Sequence, residues 1–160
     1  MNADSELDTL LNRPFVFRER PAPTAADLRA VWRIPLTLML TRACRSSQAT
    51  HEQLHVLNWA VRSTESAERL GEFLAGKIRP EQAVVRFEPA LDRTVALAHG
   101  FGLLTWKKKR YWGLGAEANE LLTAIDEDEQ IFAVEKSLLG SLPSQLSQAA
   151  VRRLLGRKVR

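Results

Sequence analysis

Residues 89–114, PALDRTVALAHGFGLLTWKKKRYWGL, decide the fold. Leu91, Val95 and Ala98 recur at helical spacing, so 89–99 has one apolar face. Pro89 suits a first helical position, where a missing N–H costs nothing. Gly100 and Gly102 end the helix, because glycine accepts positive φ without a steric penalty. Leu103–Trp106 and Tyr111–Leu114 then flank the basic run Lys107–Arg110, which predicts a hairpin closed by a four-residue loop. Pairing Trp106 with Tyr111 puts Leu104, Trp106 and Tyr111 on one face. Leu103, Thr105, Trp112 and Leu114 then share the other.

The segments before this stretch are helical. "PLTLMLTRAC" begins at Pro35 and is apolar nearly all round, as a central helix must be. A shorter helix through Leu28 to Trp32 precedes it, opened by Thr24 with Asp27 three residues on. "RSSQA" is a turn. Thr50 and Gln53 have capping-box spacing and start a helix over 51–62, with Leu54, Leu57 and Val61 inward. Ala67, Leu70, Leu74 and Ile78 mark another, and Val84–Phe87 is a short strand. After the hairpin, one helix follows Gly115 to about Ile125. A second over 129–139 carries Ile131, Val134 and Leu138 inward. The last, capped by Ser144, buries Leu146, Ala150 and Leu154. Helices followed by helix and hairpin give a mainly α chain with a winged helix-turn-helix core, a small β-hairpin wing and extra C-terminal helices. The division is an N-terminal arm over 1–23, a winged-helix domain over 24–127 and a C-terminal helical extension over 128–160. The arm holds Leu7, Leu10 and Leu11, then an extended run around Phe15 and Phe17 bracketed by Pro14, Pro21 and Pro23.

At 160 residues, 45% hydrophobic and 26% charged, the chain has the composition of a soluble globular domain. No apolar run approaches the ~20 residues of a membrane span. The acidic, polar start is unlike a signal peptide, so a cytoplasmic location is expected. The single Cys44 lies in an apolar helix and is expected to be an inert buried thiol. The net charge is +4, and its distribution says more than its total. Arg93, Lys107, Lys108, Lys109 and Arg110 form one basic island, and Arg152 and Arg153 belong to another at the C-terminus. The acidic run Asp126–Glu129 lies between them. Such islands suit an oppositely patterned protein as well as DNA. At the wing tip they either touch phosphates or simply stay wet and discourage edge-to-edge association.

One motif invites catalysis. His51-Glu52-Gln53-Leu54-His55 is H-E-x-x-H, which on a helix aligns two imidazoles for Zn²⁺ beside a glutamate base. Asn58 and Val61 stand where the glycine and third histidine of the extended motif belong. The capping box also places His51 and Glu52 in an exposed first turn. A solvent-facing helix start is therefore expected, with no catalytic residue, cofactor or metal. No Gly-rich phosphate loop occurs.

Three stretches carry a resemblance: IPLTLMLTRACRSSQATHEQLHVLNWAVRS (34–63), VVRFEPALDRTVALAHGFGLL (84–104) with the wing after it, and VEKSLLGSLPSQLSQAAVRRLL (134–155). Their layout resembles the winged-helix middle components of ABC-three-component systems, prokaryotic defence operons that include the Lamassu type. The resemblance implies a non-catalytic bridging or regulatory subunit. Its partners would be an SMC-like ABC ATPase and a nuclease-like effector that is held inactive, with non-specific DNA contact inside the complex. It also makes the helix over 51–62 a core-packing element. Trp106 and Tyr111 beside the wing tip are then expected at the interface, as aromatics are enriched there. The alternative is a DNA-binding winged-helix transcriptional regulator. Arg93 and His99 would then face the major groove and Lys107–Arg110 the backbone. Against it, Ala90, Asp92, Thr94 and Ala96 make a poor base-reading face. A zinc hydrolase built on the H-E-x-x-H motif ranks below both.

Overall fold

The computed structural model of the chain describes residues 29–142 and 145–156. The arm over 1–23, the Thr24–Asp27 helix start and the Ser144 cap lie outside them. The described residues are mainly helical, with one small antiparallel sheet.

The central element is α1, Ala30–Ala43, buried around most of its circumference from Arg33 to Thr41. Each fully buried leucine in it, such as Leu38 or Leu40, contributes roughly 1.5–3 kcal/mol. The buried hydroxyls of Thr37 and Thr41 donate to the carbonyls of Arg33 and Thr37, each at 2.8 Å, so neither is left unsatisfied. One helix replaces the two expected around Pro35. The Arg29 carbonyl accepts from the Trp32 and Arg33 amides at 3.0 Å, so a turn forms ahead of the proline. Pro35 then removes only the N–H that would have reached Val31.

A turn with Ser46 and Ser47 at positive φ leads into β1, Gln48–Ala49. Sequence reading assigned this stretch to a turn, because two residues carry no alternation. The next helix, α2, spans His51–Ala60 and has the expected capping box. The Gln53 amide donates to Thr50 Oγ1 at 3.2 Å, and the Thr50 amide donates to Gln53 Oε1 at 2.8 Å. Ser63 caps α3, Thr64–Leu74, whose inward residues are Ala67, Leu70 and Phe73. It stops before Ile78, which packs on the core from beyond the helix.

Residues 84–88, expected to include a short strand over Val84–Phe87, have no regular secondary structure and join no strand of the sheet. Glu88 precedes a proline, which keeps it out of the helical region, and side-chain bonds rather than a ladder hold it. Pro89 opens α4, Pro89–Gly100, with Leu91, Thr94, Val95 and Ala98 buried. At its end Gly102 sits at φ 73, and the Leu103 amide donates back to the Ala98 carbonyl at 2.9 Å.

The hairpin pairs β2, Leu104–Lys107, with β3, Tyr111–Leu114. Trp106 stands opposite Trp112 and Lys107 opposite Tyr111, one step from the expected register. Leu104, Trp106, Trp112 and Leu114 therefore share a face. The shift arises because Lys107 belongs to the strand, and Lys108 and Lys109 take left-handed conformations in a three-residue loop. β1 pairs with β3, giving the order β1-β3-β2. At the hairpin base Gly115 passes so close to α4's exit that a Cβ there would lie 1.8 Å from the Gly102 carbonyl oxygen.

Three helices follow: α5 (Ala118–Glu127), α6 (Ala133–Gly140) and α7 (Gln148–Leu154). The α6 helix starts later than expected, with Phe132 before it in the left-handed region. Phe132 rather than Ile131 faces inward, 4.1 Å from the Trp32 ring, while Ile131 and Val134 are exposed. Ser147 caps α7 through the Ala150 amide. The Gln53 side-chain amide donates to the Leu146 carbonyl at 2.6 Å, tying this segment to α2. Leu146, Ala150, Val151 and Leu154 join the same core cluster as α1, α2 and α4.

Candidate functional site

The expected contact residues fall on two parts of the surface. Arg93 projects from the exposed side of α4, which also carries Leu97 at 45% and Phe101, just past its end, at 61% exposure. Trp106 on β2 is 46% exposed even though its ring lies 4.5 Å from that of Trp112. Lys107, Lys108, Lys109 and Arg110 are all exposed, with Lys107 lying across Gly113. Tyr111 is more constrained. Its hydroxyl accepts from Gln148 Nε2 at 3.0 Å, and the Arg110 guanidinium sits 5.7 Å from its ring centre. His99 accepts no such freedom either: its Nδ1 is 2.9 Å from the Leu104 carbonyl oxygen, so it ties the end of α4 to β2.

Arg152 and Arg153 lie on α7. Arg153 covers the Phe73 ring at 5.0 Å, and Arg152 is half-buried. The hairpin meets α7 at its N-terminal end, through Tyr111 and Gln148, whereas Arg153 reaches α3. The hairpin thus touches the start of α7, and Arg152 and Arg153 lie at its other end.

Sequence reading missed a polar centre between α2 and α4. His51 and His55, four residues apart, face the same way, and both reach Asp92 Oδ1, at 2.7 and 2.9 Å. Their Nε2 atoms are 3.3 Å apart. The motif is therefore more than a solvent-facing helix start: the His55 side chain is only 3% exposed, against 41% for His51 and 53% for Asp92. Phe87 stacks on His55 with ring centres 4.4 Å apart. The Glu88 amide points at His55 Nδ1 across 3.4 Å. Burial lowers the His55 pKa and outweighs the opposing bond to Asp92. Desolvation pushes Asp92 up, but its bonds from His55 and His51 prevail and leave its carboxyl below the usual value.

Beside this centre, the Glu88 carboxylate accepts from Arg33, from Asn58 Nδ2 at 3.0 Å and from Arg62 at 2.9 Å. Desolvation raises its pKa, and the bonds from Arg33 and Asn58 with the charge of Arg62 more than reverse that. Spacing in α2 could reveal that the two histidines share a face. Their carboxylate partner lies 37 residues on from His55, where only the packing of α2 and α4 on α1 brings it.

No family model, curated protein or solved structure matches this chain. No helix among the described residues is long and apolar enough to cross a membrane.

Proposed function

We propose that the protein is a non-catalytic winged-helix subunit that bridges or regulates an SMC-like ABC ATPase defence complex and positions a nuclease-like effector. The winged-helix reading is supported by the succession α1, β1, α2, α4 and hairpin with sheet order β1-β3-β2, α3 being an insertion before α4. The observation that carries the function is the chemistry displayed by α4 and the hairpin. Leu97, Phe101 and Trp106 are large, apolar and exposed where a base-reading module would present polar side chains. Aromatic side chains of this kind anchor protein interfaces.

The test is co-expression with the neighbouring genes of the operon, followed by co-purification. An ATPase and an effector should travel with the wild-type chain. The exposed substitutions Leu97→Ala, Phe101→Ala and Trp106→Ala, combined, should release at least one of them while the thermal midpoint stays put. Absence of an adjacent coiled-coil ATPase gene, or a complex indifferent to the triple substitution, refutes the proposal.

A second reading, DNA contact, is favoured by the exposed charges at Lys107–Arg110 and Arg93. Binding to duplex DNA at low salt that weakens steeply with added salt, and that charge reversal at the hairpin tip abolishes, would support it. No binding at low salt removes it.

A further inference from the structure

Three ligand-type atoms from two helices converge on one point at the surface of the core. We propose that His51 Nε2, His55 Nε2 and Asp92 Oδ1 bind one divalent transition-metal ion, with zinc the best fit, and that the metal staples the first two turns of α2 to the first turn of α4. A water on the solvent side completes the coordination.

The distances carry the argument. Ligands about 2.0–2.1 Å from a tetrahedral zinc lie about 3.3 Å from one another. The two imidazole nitrogens already have that separation, at 3.3 Å. The carboxylate oxygen, at 2.7 and 2.9 Å from them, has to withdraw by about 0.4–0.6 Å. Asp92 is more than half exposed, so a small side-chain rotation achieves this.

Donor type and surroundings agree with the distances. Two imidazoles and one carboxylate are a set that zinc accepts with a fourth position left for water. The site has a buried side at His55, on which the half-exposed Phe87 ring stacks, and a wet side at His51 and Asp92 through which an ion and its water enter. Without a cation, the two rings share one carboxylate oxygen.

Loading has one structural consequence that can be read directly. The Glu88 amide facing His55 Nδ1 fixes the metal-free ring with its proton on Nε2. Zinc on Nε2 moves the proton to Nδ1, so the long bond from the Glu88 amide opens. The proton on Nδ1 then faces the Glu88 N–H, two donors with no acceptor between them, so the ring and the Glu88 backbone must draw apart for the metal–nitrogen bond to form.

The experiment uses the full chain, stripped with a chelator and titrated with Zn²⁺ and separately with Co²⁺. One equivalent should bind, the cobalt form should show the intense visible absorption of four-coordinate Co²⁺, and the thermal midpoint should rise with free metal. His51→Ala and Asp92→Asn, both at accessible positions, should weaken binding at least tenfold, whereas His99→Ala should leave it unchanged. On the wild type alone, nitrogen NMR should report the His55 proton moving from Nε2 to Nδ1 on loading, whatever the variants do. The proposal fails if the folded wild type takes up neither metal. It fails equally if His51→Ala and Asp92→Asn bind as well as the wild type, or if His55 keeps its Nε2 proton at stoichiometric zinc.

Discussion

Replacing Glu88 with glutamine removes one negative charge from a carboxylate that serves Arg33, Asn58 and Arg62 together. The shape is retained and the change falls on electrostatics. Arg33 is buried on α1, and its Nε has no hydrogen-bond partner, so Glu88 supplies its main compensation. Stranding a buried charge costs about 3–5 kcal/mol when the partner is deleted. A glutamine oxygen still accepts one bond, which brings the expected loss to about 2–4 kcal/mol. Arg62, half-exposed at its end of the pair, adds little to that sum. For a chain of this size the loss lowers Tm by roughly 4–16 °C.

The same variant has a pH signature. The folded Glu88 carboxyl titrates below its ordinary 4.5, so between the two values the unfolded chain binds more protons. Stability from this group is therefore complete above about pH 4.5 and is lost as pH falls through the lowered folded value. Urea unfolding, followed by tryptophan fluorescence, measures both effects. Wild type should lose stability faster than Glu88→Gln below pH 4.5, and the two should converge in acid. Replacing Arg33 by Met and Glu88 by Leu together should recover much of the loss, because the stranded charge is gone. A Glu88→Gln variant within 0.5 kcal/mol of wild type (about the scatter of a neutral surface change), with an unchanged acid slope, would refute this account of Arg33.

Two further outcomes follow from local geometry. Gly115→Ala places a Cβ against the Gly102 carbonyl oxygen, and backbone cannot give way as a flexible side chain does. A loss of about 1–3 kcal/mol or more in urea unfolding is expected, with weakened amide protection across β2 and β3. Cys44 is buried, and burial pushes its thiol up to about 12. Iodoacetamide at pH 8 should leave the native thiol unmodified and alkylate it promptly in urea, as read by intact mass.

Those features of the fold that depend on neighbours in sequence were legible, and those that depend on packing were not. Leu91, Val95 and Ala98 are buried as their spacing predicts, and Thr50 and Gln53 make the reciprocal bonds that their spacing implies, because both are decided within one helical turn. The hairpin was legible as an element, but its register depends on two lysines adopting left-handed φ, which lysine does not advertise. Helix α1 begins before Pro35 because Arg33 and Trp32 have distant partners, Glu88 and Phe132, that reward the extra turn. The His51–His55–Asp92 centre divides along the same line. Two of its members are set by a four-residue period, and the third by two helices docking on α1 from opposite ends of a 41-residue separation. Of the three, only His55 is buried, so its bond to Asp92 is the one that must be made as the helices dock, while His51 and Asp92 can also be satisfied by water.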